Sequence, residues 1–514
     1  MATSWPAGKP ANIQQLAAYT HGNIKSTAYP QRSARQKTGV AVLRWLLLLP
    51  FIIGYWETAS IFSYDEGRYL ILSGVSLVAC GFLLARLDQS TKVTLPYYIT
   101  LGIFIVGYYV QFYLLAWDPR IYASYNLLAS RAAMSLRVLM DTYTTTCLAF
   151  VTFCFIAWFA IGAKQKSRAG LPNKAPNELP RARVRKIVIA LLPAVLVLEV
   201  GTALIVWRLN IAVMGADSAV LPFRLAGVFF YSRLVALPGL LLLFTWMAHR
   251  GQLKSQFRLG LALLLIHGII DTVLRTSKGT LLILLLQLVF LLLLSDALNV
   301  WRLQFVAAGI VLVVLLFPVI ARYRDVRAGS DISQIYDPLV QGFEGAYGSG
   351  EFQNVVSDTL TGIVFRVIGA DGLLVIVESR MPSLGLLNAS GVTNILNREI
   401  YVSNPANNGG SAPSLVGWFY LVGGNISVVI GMAAFLIVVN FIWRALAGLR
   451  SKPVAEAILL GLFLLLINDG VIDLLLWWFV IALATIAFSE LLLRPARQRR
   501  IGVGRGPDSF SLPR

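Results

Sequence analysis

Charged residues and cysteines are scarce in this sequence. Of its 514 residues only 13% are Asp, Glu, Lys or Arg, whereas 57% are hydrophobic, and the mean hydropathy is +0.71. No class of soluble globular protein has this balance. The three cysteines, Cys80, Cys147 and Cys154, all lie within apolar runs. This placement argues against both a disulfide framework and a cysteine metal site.

Several familiar catalytic motifs are also missing from the sequence. It contains no Walker phosphate loop, no glycine-rich dinucleotide fingerprint, no HExxH and no Cys/His pair at metal-ligand spacing. The chain is therefore predicted to use no metal and no cofactor, and ATP-driven chemistry is not expected.

What the sequence has in abundance is long apolar runs. A helix needs roughly 20 mostly apolar residues to cross about 30 Å of hydrocarbon. The runs predict an all-α polytopic membrane protein with about twelve transmembrane helices and a large, partly helical periplasmic loop late in the chain. The predicted helices are 39–62, 68–87, 95–117, 143–163, 187–207, 224–248, 258–275, 279–296, 303–321, 413–442, 454–468 and 471–493.

These helices divide the chain into five regions. The predicted regions are a flexible cytoplasmic tail (1–38), transmembrane helices one to nine (39–321), a periplasmic loop (322–414) that acts as a catalytic lid, transmembrane helices ten to twelve (415–493) and a basic cytoplasmic tail (494–514).

The distribution of charge sets the predicted orientation. With both termini inside, 29 of the 44 basic residues fall in cytoplasmic segments, but only 6 of the 25 acidic residues do. This bias follows the positive-inside rule. It also accounts for the net charge of +19 without nucleic-acid binding, for which the sequence has no soluble basic domain.

Fifteen basic residues fall on or near the outer side, and fourteen of them are arginine. A guanidinium makes bidentate bonds to phosphate oxygens, which an ammonium does not. The pattern therefore favours an anionic ligand, although pairing with external carboxylates or anchoring at lipid headgroups is an equal alternative for any single arginine. The fifteen are Arg68, Arg120, Arg131, Arg137, Arg208, Arg224, Arg233, Arg275, Lys278, Arg322, Arg324, Arg327, Arg366, Arg380 and Arg398.

Three segments concentrate these cations near helix ends. They are the start of the sixth predicted helix, the turn Arg275-Thr-Ser-Lys278-Gly279, and the exit of the ninth predicted helix. Free backbone N–H groups at a helix start, such as the one after the turn, add to the attraction for an anion. The residues predicted to bind a diphosphate are Arg224, Arg275, Lys278, Arg322, Arg324, Arg327 and Arg380. His267 and Asp271, four apart, are expected to hydrogen-bond each other.

Within the late loop, Asp358 to Glu378 has apolar residues at helical spacing. The pattern suggests an amphipathic helix lying on the membrane surface and interrupted near Gly369. Asp371 and Glu378 are seven apart, so an unbroken helix presents them on one face.

Several of these segments together resemble the oligosaccharide repeat-unit polymerases of bacterial cell surfaces, the O-antigen polymerase (Wzy-type) group. The likeness rests on LPFRLAGVFFY (221–231), the RTSKG turn (275–279), RVIGAD (366–371) and PSLVGWFYLVGG (413–424), and it spans roughly residues 220 to 440. The resemblance implies an all-helical, C-type membrane glycosyltransferase that needs neither nucleotide sugar nor metal.

Such an enzyme is expected to move a growing glycan from undecaprenyl diphosphate to a sugar hydroxyl of a lipid-linked repeat unit at the periplasmic face. It is expected in the bacterial inner membrane, among membrane lipids, with a chain-length regulator as a further partner. Arginines can stabilise the leaving diphosphate, and a carboxylate can act as base. The catalytic candidates are Asp371, Glu378 and Arg366, with Asp331 and Asp337 behind them.

Other interpretations stay open. One is an O-antigen-ligase-like enzyme, which moves finished glycan to another acceptor. Another is a different C-type glycosyltransferase with an acidic pair after its first helix, as in Asp65-Glu66, although the first external loop is short here. A third, of another class, is a flippase or transporter, against which the sequence has no apparent internal repeat and few cations deep within helices.

Overall fold

The computed structural model describes residues 46–87, 91–122, 127–168, 180–209, 211, 225–275, 277, 279–328, 336–347, 369–379, 413–469 and 472–494. In these ranges the chain is helical and has no strand. The helices are α1 Leu49–Thr58, α2 Glu66–Arg86, α3 Thr91–Ile103, α4 Gln111–Trp117, α5 Leu127–Ala133, α6 Leu136–Arg168, α7 Arg181–Arg208, α8 Leu225–Tyr231, α9 Leu237–Arg250, α10 Lys254–Arg275, α11 Gly279–Leu294, α12 Val300–Ala328, α13 Tyr336–Tyr347, α14 Ala370–Ser379, α15 Ser414–Ala445, α16 Lys452–Asp469 and α17 Ile472–Leu493.

Eight helical segments among the described residues are long and apolar enough to cross a membrane. They are Ser63–Arg86, Leu95–Trp117, Leu136–Gly162, Arg181–Arg208, Leu225–Arg250, Lys254–Arg275, Val300–Ile320 and Ser414–Gly448. The all-α prediction is confirmed, and these segments are consistent with a multi-pass membrane protein. The other four predicted spans, which overlap α1, α11, α16 and α17, are not among these eight, so the count of twelve stays a prediction.

Three interruptions, two π-helical turns and one kink, shape the long helices. π-Helical turns at Phe104–Val110 and Ser232–Ala236 join α3 to α4 and α8 to α9. Within α15 the backbone leaves the helical region at Gly423 and Gly424, and Gly424 has φ 65° and ψ −154°. Essentially only glycine adopts that conformation. Kinks and π-turns of this kind re-aim side chains inside an otherwise regular bundle.

The helices pack as two neighbouring groups. In the first, α6 packs against α2, α14 and α15. In the second, α7, α9, α10, α11 and α16 surround a leucine-rich core, and α16 also packs on α15. Consecutive helices with short connections run antiparallel. The starts of α2, α6 and α15 and the ends of α7 and α10 therefore belong to the predicted periplasmic end, called the outer end below.

The late loop differs from its prediction at α14. Ala370 to Val377 are all buried, and α14 packs against α4, α5, α6 and α15. The expected surface helix is therefore wrong for this part, because its apolar side chains are buried by other helices and not by the lipid interface. Residues 358–368 and 380–412, with Arg366 and Arg380, lie outside the described residues.

A close backbone contact fixes the start of α14. A Cβ built on Gly369 comes within 1.9 Å of the carbonyl oxygen of Gly107, in the π-turn before α4. The backbone of Gly107 cannot move aside as easily as the end of a flexible side chain can. Any larger residue at this position therefore has to push α14 out of its place.

We expect Gly369→Ala to destabilise the protein by about 1–3 kcal/mol or more, because overpacking a rigid contact forces backbone shifts. Thermal denaturation in detergent, followed by size-exclusion chromatography, measures the change. Gly201→Ala is the matched control, because a Cβ there meets nothing within 4 Å. Equal melting temperatures for the two variants are the outcome that contradicts this packing.

Candidate functional site

The second helix group contains a buried arginine network, defined here as Glu199, Arg233, His267, Asp271 and Arg275. Arg233 is fully buried, and its Nε donates to Asp271 Oδ1 at 2.6 Å while its Nη2 donates to Glu199 Oε1 at 2.8 Å. Arg275 Nη1 lies 3.3 Å from Asp271 Oδ2. Two guanidiniums therefore share one carboxylate.

The helix pattern explains how these side chains meet. Glu199 is nine residues from the end of α7, and His267 is eight from the end of α10. At 1.5 Å per residue both lie about 12–14 Å inside the outer end. Arg233 belongs to the π-turn between α8 and α9. Ionisable groups at such depth in a membrane helix are expensive and usually functional.

His267 completes the network through both ring nitrogens. Its Nδ1 lies 2.7 Å from Glu199 Oε2 and its Nε2 lies 3.1 Å from the backbone oxygen of Arg233. An imidazolium satisfies two such acceptors, because both of its nitrogens donate. The predicted hydrogen bond to Asp271 is wrong, since His267 bonds to Glu199 and Asp271 is taken by the two arginines.

The first helix group carries a second, accessible set of charges at the outer end. We call it the Arg68–Asp141 cluster and define it by Arg68, Asp141, Thr144 and Asp65. Arg68 Nη2 donates to Thr144 Oγ1 at 2.6 Å and lies 3.3 Å from Asp141 Oδ1, and Arg68 Nη1 lies 3.7 Å from Asp65 Oδ2. The side chains of Arg68 and Asp141 are 41% and 43% exposed.

Polar groups continue from this cluster into the bundle. Thr145, next to Thr144, donates to Asn425 Oδ1 at 2.7 Å, directly after the kink in α15. Half-buried Tyr420 of the same helix lies near Asp141. The cluster thus adjoins the broken helix whose residues 413–424 carried part of the family likeness.

The predicted site residues fall in different surroundings. Asp371 is buried at 8% exposure, and its Oδ1 lies 3.3 Å from the backbone nitrogen of Gly369, so it caps the start of α14. Glu378 is exposed near the other end of that helix, about 10 Å along its axis. Asp337 is exposed on α13.

The remaining predicted residues are described only in part. Arg322, Arg324 and Arg327 lie in the last turns of α12, at its outer end. The structure does not describe the side chains of these three arginines. Arg224, Lys278 and Asp331 lie entirely outside the described residues. Arg275 is buried, and its guanidinium lies 4.4 Å above the ring of Phe230.

Sequence reasoning missed three of the charged residues that the fold brings together. Arg233 was counted only as one outer arginine, although it lies eight residues inside the run that starts at Leu225. Glu199 is a carboxylate within an apolar run, which was the available signal. Asp141 was placed in a loop because the predicted helix began at 143, whereas α6 begins at Leu136.

Comparison of the chain with protein-family models, with curated proteins and with solved structures gave no match.

Proposed function

We propose that this protein is a surface-polysaccharide polymerase that joins lipid-linked repeat units at the outer end of its helix bundle. The observation that carries the proposal is the Arg68–Asp141 cluster. A guanidinium and a carboxylate lie 3.3 Å apart there, both accessible, at the outer starts of two membrane helices. Glycosyl transfer from a lipid diphosphate can use a cation to stabilise the leaving diphosphate and a carboxylate to accept the proton of the attacking hydroxyl.

The proposed reaction balances with the groups at hand. A hydroxyl oxygen of the acceptor sugar attacks the anomeric carbon of the donor, and the bond from that carbon to the diphosphate oxygen breaks. The electron pair leaves with undecaprenyl diphosphate, whose growing charge a guanidinium stabilises. The hydroxyl proton passes to a carboxylate. No metal or nucleotide is required for any of these events.

In this proposal Asp141 takes the proton. It is accessible and held beside Arg68, whereas Asp371 caps its own helix in a buried place. The roles predicted for Asp371, Glu378 and Arg366 stay predictions. The diphosphate-binding role predicted for Arg275 also stays a prediction, because this residue is buried and lies 3.3 Å from Asp271.

A transporter of lipid-linked oligosaccharide is the second candidate, and the buried arginine network favours it. Charged residues inside a membrane bundle mark substrate and proton pathways as well as catalytic sites. Arg233 is fully buried among the candidate membrane helices, so at least one cation lies deep within the bundle, as a transporter requires.

Purified protein incubated with an undecaprenyl-diphosphate-linked repeat unit is expected to form a ladder of longer glycans, with or without a chelator. The chelator arm tests metal independence. Liposomes loaded with the same substrate provide the second readout. Unchanged substrate that merely crosses the bilayer contradicts the polymerase and supports the transporter.

A further inference from the structure

An apolar groove runs down the outside of the first helix group, between α2 and α6. Its cavity volume is about 650 Å³. It is lined by apolar side chains and one glycine, including Leu70, Gly74, Val78 and Phe82 of α2 and Val151 and Trp158 of α6.

The α2 wall of the groove is a single helical stripe that begins at Arg68. Ile71, Val75, Val78 and Phe82 line the groove, and with Arg68 they are spaced by three and four residues. Residues at this spacing share one face of a helix. The apolar wall therefore leads directly to the guanidinium.

The α6 wall has the same arrangement. Val151, Phe155 and Trp158 line the groove, and Thr144 lies seven residues before Val151 on the same face. Arg68 donates to Thr144 at 2.6 Å. Both walls of the groove thus converge on the Arg68–Asp141 cluster.

The dimensions of the groove match one leaflet of a membrane. Leu70 and Phe82 are twelve residues apart, which is about 18 Å along α2. Half of the hydrocarbon core is about 15 Å. At the far end the guanidinium of Arg86 lies 5.0 Å above the ring of Trp158. At the outer end the side chain of Arg68 is 41% exposed, so an anionic headgroup can reach a cation there.

We propose that the groove holds the polyprenyl tail of the lipid-linked substrate, with the phosphate beside Arg68 and the glycan beyond it. The inference rests on the proposed function and specifies how its substrate is held. A single channel between two helices suits a lipid with one long chain, and the cation at its mouth suits a phosphate. In this position the first sugar carbon lies next to Asp141.

Gly74→Phe tests the groove, because a Cβ at Gly74 meets nothing within 4 Å and the ring then fills the channel. The probe is undecaprenyl diphosphate with a photoreactive diazirine in its tail, added to protein in nanodiscs. In the unaltered protein we expect label on peptides from 66–86 and 136–168, and in Gly74→Phe about tenfold less.

Gly201→Phe, in open space on α7, is the control for a bulky residue on a membrane helix. Val78→Trp, at a residue 56% exposed on the groove wall, repeats the block if Gly74→Phe does not fold. Label that survives excess phosphatidylglycerol but is displaced by unlabelled undecaprenyl diphosphate supports the proposal. Label that phosphatidylglycerol displaces equally well, or full labelling of both blocked variants, overturns it.

The labelling result is separable from the polymerase assay. Groove labelling in a protein that forms no polymer supports the groove while the proposed function fails. Polymer formed at the normal rate by folded Gly74→Phe and Val78→Trp overturns the groove while the function stands.

Discussion

Replacing Asp141 with asparagine is expected to reduce polymer formation by about 100-fold to 10,000-fold, the usual contribution of a positioned acid or base. The amide keeps the shape of the carboxylate and still accepts from Arg68, 3.3 Å away. It cannot take the proton of the acceptor hydroxyl. The measurement is the initial rate of ladder formation with saturating lipid-linked substrate.

Two comparisons separate an effect on proton transfer from an effect on folding. Glu344→Gln removes an exposed carboxylate from α13, outside the cluster, and is expected to leave the rate unchanged. Asp141→Asn is expected to melt and elute like the unaltered protein, because its side chain is 43% exposed and an exposed ion pair contributes at most about 1 kcal/mol. A normal rate in Asp141→Asn removes this residue from the reaction.

Replacing Arg233 with methionine is expected to destabilise the protein by about 3–5 kcal/mol, the usual cost of breaking a buried ion pair on one side. Without the guanidinium, Asp271 loses its shortest partner contact, at 2.6 Å, and Glu199 loses a contact of 2.8 Å. Thermal denaturation in detergent, with the yield of monodisperse protein, measures the loss.

Matched variants test whether the loss of stability comes from breaking the buried ion pairs. Arg208→Met removes an exposed arginine from the end of α7, and it is expected to change stability by at most about 0.5 kcal/mol. Adding Glu199→Gln to Arg233→Met removes the carboxylate that lost its arginine and leaves Asp271 paired with Arg275, so part of the lost stability should return. Normal melting of Arg233→Met alone is incompatible with the network as described.

The sequence predicted the helices well, because apolar runs and their length report membrane helices directly. Each of the twelve predicted runs overlaps a helix, although some of the helix starts differ from the prediction by several residues. The start of α6 had the largest consequence for the site. The range 136–140, which includes Arg137, was predicted to be loop. Because α6 begins seven residues earlier than predicted, Asp141 lies in the first turns of a helix and not in a loop.

The side-chain networks were much less predictable, since they depend on which helices become neighbours. The spacing of His267 and Asp271 indicated a hydrogen bond between these two residues. In the fold, Glu199 of α7 contacts His267, and Arg233 of the π-turn before α9 contacts Glu199. Similarly, the amphipathic spacing around Asp371 gave an apolar face without saying what covers it. Helices α4, α5, α6 and α15 cover it in place of lipid.

Glycosyl transfer at Asp141 is tested most directly by the ratio of undecaprenyl diphosphate released to glycosidic bonds formed, measured by mass spectrometry after a single round of reaction. Transfer from one lipid carrier to another predicts one released carrier for each new bond in the unaltered protein, and neither product from Asp141→Asn. Bond formation without a released carrier, or carrier release that persists fully in Asp141→Asn, contradicts glycosyl transfer by Asp141 and Arg68.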